Sequence, residues 1–519
     1  MTPLYDAPRP DILFAMSPAH ARDMYMPIYF LYLAGYLEKK GYRTEIVDPH
    51  RRGAEDNIRI ILDRVAARRP RYVGLSSFAT DYGCAVELAR RIKEISDAKV
   101  VVGNAQPSLT PEDYLFDGSP FDIVVRGEGE LTLEEILSRG PAGGDLSGVR
   151  GIAYRENGRL VLTEKRELMD LALCAMPAYH KVDMRWYRRA TKHIIRRLFT
   201  VGAVVYTGRG CPFRCSFCAA NSVWQTNRIT TAHPMVRKRP LPHVMAELRL
   251  LQDTYGFDFF YILDDTFGIH EKDITDFCEA YRASGLRMLW AAETRVNCLK
   301  NDAIFKTLKS AGCLQLDFGV ESGSQKLLNA ICKGINVPQV VEAFDLCRRN
   351  GIRTFANILL NLPGEDENDL VLTEQLLEKI RPDYISIGVT QPYPGTAISR
   401  GLSRPLTRDD YAELSRLIPS EKFRLSKHNR DLYKLVSAWL LKYRAIAPFD
   451  RSVLRADASY WKALLASNNK LNYAYFILRD LVTYPVVFAI FLIRRIGLLW
   501  RPSHVPPWAD PMKEKDPGQ

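Results

Sequence analysis

The sequence predicts an α/β protein built from two successive strand–helix series and closed by a helical region. Three observations predict it: apolar runs and helical patterns alternate over the first ~140 residues, the alternation restarts near residue 201, and it stops at about Ser403. A chain of 519 residues with 47% hydrophobic and 25% charged residues is too long for one ordinary core and too apolar to be disordered.

In the first series DILFAM (Asp11 to Met16) is a short apolar strand, PIYFLYLAGYLEKKGY has helical spacing with a Lys-Lys-Gly stop, and RTEIVD is strand-like. A helix (Asn57 to Arg68), the strand YVGLSS, a helix (Ala85 to Ile95), the strand KVVVGN, and DIVVRGEGE with a further helix complete it. Strands separated by helices imply a parallel, doubly wound sheet of Rossmann or flavodoxin-like type, over residues 1–142. Ligands of such sheets sit beyond the carboxyl ends of the strands, here Ser76-Ser77, Gly103-Asn104-Ala105-Gln106 and Gly127-Glu128-Gly129-Glu130. Small residues there either admit a large flat ligand or simply make tight turns.

Residues 143–200 read as a connector holding a hairpin, GIAYRENGRLVL, with an Asn157-Gly158 turn. A basic run follows, RWYRRATKHIIRRLF, which is either a solvated linker helix or an anion-facing surface. Residues 201–402 supply the strands GAVVYTGRGC, FDFFYILDD, LRMLWAAETR, LQLDFGVES, RTFANILLNLPG and YISIGVTQPYPG. Six strand–helix units are two short of a closed barrel, so an open, partial (β/α)6 barrel of TIM type is expected, with its site at the carboxyl-terminal strand ends.

Residues 403–519 read as helical, with a disordered tail. Within LNYAYFILRDLVTYPVVFAIFLIRRIGLLW (Leu471 to Trp500), charges at Arg479-Asp480 and Arg494-Arg495 leave only Leu481 to Ile493 uncharged. That is too short for a bilayer core, which takes about 20 residues. The stretch is either a helix pair packed on the barrel or a helix lying in a membrane interface. The opening residues show no charged-then-apolar leader, which suggests a cytoplasmic protein, peripheral at the inner membrane face if the interfacial reading holds.

Seven of ten cysteines (Cys84, Cys174, Cys278, Cys298, Cys313, Cys332, Cys347) are scattered, as buried thiols rather than a disulfide framework. The other three, Cys211, Cys215 and Cys218, have the spacing C-x3-C-x2-C on a loop bracketed by Gly208, Gly210 and Pro212. A closed zinc site wants four ligands, and no fourth Cys or His follows in a zinc-finger pattern. Three thiolates can instead hold three irons of a 4Fe-4S cubane and leave the fourth iron open.

GCPFRCSFC, with Phe217 before the third cysteine, resembles the signature of the radical S-adenosylmethionine (SAM) superfamily. The resemblance covers roughly residues 201–400. It implies a 4Fe-4S cluster on Cys211, Cys215 and Cys218 whose open iron chelates SAM, and an electron from flavodoxin or ferredoxin to cleave it. It implies SAM contacts from Phe217, from Asp264 and Asp265 toward the ammonium, from Arg295 toward the carboxylate, and from Glu321 and Ser322 toward ribose and ammonium. NLPGE (Asn361 to Glu365) and PYPGT (Pro392 to Thr396) end strands five and six as in the family.

The first domain resembles the cobalamin-binding module of one branch of that superfamily. The resemblance implies cobalamin held by Ser76, Ser77, Gly103, Gln106, Gly127 and Glu128. The D-x-H-x-x-G pattern of cobalt-ligating modules is missing after strand one; its occurrence at Asp48 to Gly53 follows strand two, so His50 reads as coincidence, and His20 sits in the right loop without the pattern.

Together these resemblances imply a cobalamin-dependent radical SAM enzyme that methylates an unactivated carbon through a 5'-deoxyadenosyl radical and methylcobalamin. The expected substrate is a small, hydrophobic or lipid-like molecule, because of the apolar C-terminal stretch and the Arg-rich run; nucleic acid is not expected. A radical cyclase or rearrangement enzyme acting on a porphyrin-like or natural-product substrate stays open. A methylthiotransferase is disfavoured, since only Cys84 and Cys174 precede the loop and that group carries three further cysteines there. A non-catalytic cobalamin or cluster sensor is a further alternative. No side chain is assigned as the catalytic acid or base.

Overall fold

A computed structural model describes residues 8–18, 26–50, 53–140, 144–196, 198–227, 235–416, 418–443 and 458–479. The first sheet contains β1 (Ile12–Ala15), β2 (Thr44–Val47), β3 (Tyr72–Ser76), β4 (Lys99–Gly103), β5 (Ile123–Val125), β6 (Ile152–Glu156) and β7 (Arg159–Leu162). Their order is β2-β1-β3-β4-β5-β6-β7, with β1 to β5 parallel. The parallel part has the flavodoxin-like order, in which the strand order reverses between β1 and β3 and opens a crevice at their carboxyl ends. Helices cover both faces, so β1 and β3 are buried throughout.

The hairpin expected in the connector is part of this sheet. β6 pairs antiparallel with β5, and Ile152, Ala153 and Tyr154 are buried there, which carries the first sheet past residue 142. The basic run likewise departs from a linker helix: among its described residues only Met184–Tyr187 is helical, and Thr191 bridges Thr200. Ile194, Ile195 and Leu198 are all buried, and two adjacent buried apolar residues do not fit a helix solvated on all sides. Arg197 lies outside the described residues.

The second half contains β8 (Gly202–Val205), the two-residue strands β9 (Gly208–Arg209) and β10 (Arg237–Lys238), then β11 (Phe259–Ile262), β12 (Leu289–Thr294), β13 (Cys313–Glu321), β14 (Arg353–Leu360) and β15 (Tyr384–Val389). β8 and β11 to β15 form one six-stranded parallel sheet in sequence order, with β8 and β15 as its two edges. This is the open, partial barrel expected. Between sheet and outer helices Trp290, fully buried, packs against Phe260, Phe267 and Phe277.

The C-terminal region braces the barrel. The helix Leu432–Lys442 packs on β15. The Asn361 side chain donates to the Thr390 and Phe423 carbonyls and accepts from the Leu425 and Ser426 amides, so NLPGE fastens the segment leading to that helix. Helices at 458–466 and 470–479 close the amino-terminal end of the barrel: the Tyr460 hydroxyl donates to the Phe199 carbonyl, and the Tyr473 hydroxyl accepts from the Val201 amide and donates to Asp258. No helix among the described residues is long and apolar enough to cross a membrane. Leu481 to Ile493 lie outside the described residues.

Two buried ionic clamps join the halves. In one, Arg239 donates to Glu247 at 2.6 Å and to the Tyr32 hydroxyl at 2.7 Å, while Tyr32 and Tyr179 both donate to the Glu247 carboxylate. Glu247 has no exposed surface. A charge in that position is tolerable only while paired. Replacing Glu247 by Leu strands the Arg239 cation, and a loss of about 3–5 kcal/mol is expected from chemical denaturation of the variant against the parent.

Candidate functional site

The loop Thr207 to Cys218 follows β8, and its shape is set by two carboxylates at the end of β11. Asp264 accepts from the Thr207 amide at 2.7 Å, the Gly208 amide at 3.0 Å and the Thr207 hydroxyl. Asp265 accepts from the Gly210 amide at 2.8 Å and from the Trp224 indole at 3.1 Å. Burial pushes both carboxyls up, against the pull of these donors. Gly210 has a φ of +96°, and a methyl group there would lie 1.9 Å from the Met235 carbonyl oxygen, so the turn admits only glycine. Farther on, the Ser216 amide donates to the Ile331 carbonyl and the Ser216 carbonyl accepts from the Ile398 amide. The loop is thus tied to β11, to the segment after β13 and to the segment after β15.

Cys211 Sγ lies 3.6 Å from the Thr266 hydroxyl, and burial raises its thiol. Arg295, at the end of β12, donates from Nη1 to Cys215 Sγ at 3.5 Å, from Nη2 to the Lys333 carbonyl and from Nε to Asn297, and its guanidinium sits 3.7 Å over the Phe213 ring. One N–H on each nitrogen of this buried group is engaged within the protein, which leaves a second N–H on each Nη for an external carboxylate. It is also a donor to sulfur. Among the described residues, no three His, Cys, Asp or Glu side chains converge closely enough to grip a single metal ion. A cubane does not ask for that convergence, because each thiolate binds a different iron corner. Sulfur donors on a pinned loop beside a guanidinium suit such an anionic cluster.

Phe217 packs with Leu327, Ile331 and Leu362. Glu321 has a φ of +65° and pairs with Lys333 at 2.6 Å, both buried, across Gly319 in the barrel mouth. Ser322 is fully buried and bonded to Thr373 and the Ser324 amide, so it presents nothing to the mouth. Asp264 is likewise spent on the loop, while Asp265 reaches the cavity described next.

A cavity of about 390 Å³ lies between the carboxyl ends of the first sheet and the cysteine-bearing loop. Phe14, Tyr29 and Leu33 line it from one side, and Tyr206, Trp224 and Asp265 from the other. Of the six residues expected to face a ligand here, Ser76, Gly103, Gly127 and Glu128 do. Ser77 and Gln106 do not: Ser77 is fully buried on Asp81 and Tyr114, and Gln106 donates to Thr110 and Tyr411. The Glu128 carboxylate is also committed. Burial alone would raise it, but Arg209 at 2.9 Å and Arg237 at 2.8 Å hold it below the usual range. Arg209 reaches Glu130 as well, forming the second clamp between the halves. His50 stacks on Trp186 at 4.4 Å, away from the cavity, and His20 lies outside the described residues.

Several residues went unnoticed in the sequence. Lys333 and the Arg209/Arg237 pair carry no motif, and only the fold brings them in. Cys298, one of the scattered thiols, is pushed up to about 11 by burial first, and Cys211 lies close enough to add to that against the pull of Arg295. Glu293, in register with Asp317 across the barrel sheet, has its carboxyl pushed up to about 7, by burial first and then by Asp317.

Comparison with known proteins agrees with both halves. Residues 205–377 match the radical SAM superfamily, and residues 19–137 match the B12 binding domain. An uncharacterized methyltransferase of Pyrococcus horikoshii is 28% identical, covering 73% of this chain and 80% of its own. The anaerobic magnesium-protoporphyrin IX monomethyl ester cyclase of Rubrivivax gelatinosus is 26% identical, over 76% and 70%. The hopanoid C-3 methylase of Methylococcus capsulatus is 25% identical, over 86% of each chain. The radical S-adenosylmethionine methyltransferase TsrM from Kitasatospora setae, solved with cobalamin and [4Fe-4S] cluster bound, shares the fold at a TM-score of 0.61 and 20% identity, over 75% of this chain and 74% of its own.

Because the folded state holds the Glu293 proton up to about pH 7 and the unfolded chain releases it near 4.5, the parent should lose stability as pH rises through that window. Glu293→Gln removes this loss. Denaturation midpoints at pH 5 and pH 8 should therefore show the variant gaining on the parent by about 2–3 kcal/mol.

Proposed function

The chain belongs to the radical SAM superfamily, in the branch with an N-terminal B12-binding domain, and we propose that it is a cobalamin-dependent C-methyltransferase of a small hydrophobic or lipid-like substrate. The observation that carries this reading is the shared cavity: the crevice of the first domain opens directly onto the loop that bears the three cysteines. When bound, the 4Fe-4S cluster with SAM supplies a 5'-deoxyadenosyl radical and cobalamin supplies the methyl group, and this hard chemistry belongs to the cofactors.

The chain's own part is holding and screening. Cys211, Cys215 and Cys218 would hold the cluster, and Arg295 would lend a charge-assisted donor to one of its sulfurs. Phe217, Asp265 and the Glu321–Lys333 pair would border SAM. Ser76, Gly103 and Gly127 would meet cobalamin through backbone and small side chains, over a floor of Phe14, Tyr29 and Leu33. The two ionic clamps would hold the domains face to face. Two electrons for each methyl group transferred, one for SAM cleavage and one for recharging cobalamin, would come from a flavodoxin or ferredoxin.

The similarity to the hopanoid C-3 methylase over 86% of this chain favours a lipid-like substrate, and our reading places the enzyme in the cytoplasm at the inner face of a membrane. The cyclase of Rubrivivax gelatinosus favours the second reading, radical cyclisation of a porphyrin-like ring within the same architecture.

Anaerobic reconstitution with iron, sulfide, SAM, cobalamin and a reductant should give a brown protein that forms 5'-deoxyadenosine. With substrate present it should also form S-adenosylhomocysteine and a product heavier by one methyl group. Exchanging Cys211, Cys215 and Cys218 together for Ala should abolish both colour and 5'-deoxyadenosine, whereas Cys298→Ala should keep them. A product formed without S-adenosylhomocysteine would move the assignment to the cyclase reading.

A further inference from the structure

The amino-terminal end of the barrel lies opposite the cavity. There the helix 470–479 turns Tyr473 and Phe476 inward. Its other side carries Leu471, Tyr475 and Leu478, spaced by four and three residues, which puts them on one stripe. They are 87%, 61% and 63% exposed, and Leu465 on the preceding helix is 72% exposed. Scattered surface leucines need no explanation, but an aligned apolar stripe on one face marks a surface that meets something.

Beside the stripe lies an open hollow of about 640 Å³, lined by Arg185, Arg188, Arg189 and Lys470 with Asn468 and Asn472 among its amides. Among the described residues, no Asp or Glu lines it. Among the described carboxylates nearby, Asp183 pairs with Arg185 at the rim of the hollow, and Asp258 accepts from Ser467, Asn469 and Tyr473, so Arg188, Arg189 and Lys470 carry most of its positive charge. Arg188 is propped on Asn469 at 2.9 Å, and Arg189 lies flat on Trp186 at 3.5 Å, so both guanidinium groups are held at the hollow rather than free to wander. Lys462 and Arg479 are exposed near the two ends of the stripe.

Apolar side chains flanked by cations are what a helix at an anionic bilayer surface presents, the stripe entering the acyl boundary and the cations meeting phosphates. We propose that this face docks on an anionic phospholipid leaflet, with headgroup phosphates in the Arg185/Arg188/Arg189/Lys470 hollow. The inference deepens the membrane part of the function proposed above and identifies the surface that makes the contact. Docking by the barrel's amino-terminal end leaves the cysteine loop, at the carboxyl end, clear of the leaflet. The enzyme is thereby kept where lipid-like molecules are concentrated, and the mouth of its site is not blocked by the membrane itself.

The test is co-sedimentation of the full chain with vesicles of phosphatidylcholine containing 30% phosphatidylglycerol, and with pure phosphatidylcholine. The parent should pellet with the anionic vesicles only, and less in high salt. Each neutralised cation near an anionic leaflet is worth roughly fivefold, so Arg185→Gln/Arg189→Gln/Lys470→Gln should lower partitioning by about a hundredfold. Leu471→Ser/Tyr475→Ser/Leu478→Ser, all at exposed positions, should lower it at any salt while leaving the far-UV spectrum and 5'-deoxyadenosine formation unchanged. A parent that ignores vesicles overturns the docking and with it the membrane part of the proposed function, while the cofactor chemistry is judged separately by 5'-deoxyadenosine. Variants that bind like the parent overturn this surface alone. So do calorimetric binding of inorganic phosphate without vesicle binding, and a parent dimer in light scattering that the stripe variant dissolves.

Discussion

Everything at the site depends on two adjacent carboxylates gripping the amides of one loop. Asp264 and Asp265 together take the backbone N–H groups of Thr207, Gly208 and Gly210, immediately before the first cysteine. These are charge-assisted bonds in a buried place, where an unmet donor or carboxylate would be expensive, so loop and strand end are locked as one piece. The glycine at 210 follows from the same constraint, since the backbone must turn through a positive φ against the Met235 carbonyl. With the loop held, the positions of Cys211 and Cys215 relative to β11 and β12 are decided before any cofactor arrives.

The second organising feature is how the halves meet. Glu128 and Glu130, at the end of the first sheet's last parallel strand, receive Arg209 from the cysteine-bearing loop region, and Arg237 from the adjoining strand closes the bridge. Tyr32 and Tyr179 reach Glu247 and Arg239 in the same manner. Buried ion pairs contribute little net stability but tolerate no misregistration, which makes them good at fixing one orientation. The cavity between the halves owes its shape to that orientation.

Much of this was legible in the sequence, and the remainder has physical reasons for being hidden. Alternating patterns gave both sheets, because parallel strands buried on both faces must read as apolar runs. The cysteine spacing gave the loop, because cluster ligands come from one short segment. The hairpin at residues 152–162 was recognised but misplaced, since local turn chemistry says nothing of which sheet a hairpin joins. Asp264, Ser322, Ser77 and Gln106 were expected to face ligands and instead are used internally. A residue type at a strand end shows what a side chain can bond to, not whether a neighbour has already claimed it. Lys333 and Cys298 illustrate the converse, becoming site residues only through contacts between distant segments.

The most direct measurement is Mössbauer spectroscopy of the iron-57-reconstituted protein with and without SAM. If three thiolates hold a cubane and leave one corner open, one iron in four should change its isomer shift and quadrupole splitting when SAM is added, and the other three should not. Four irons that stay equivalent and indifferent to SAM, as a cluster closed by a fourth thiolate such as Cys298 would give, would contradict the open corner.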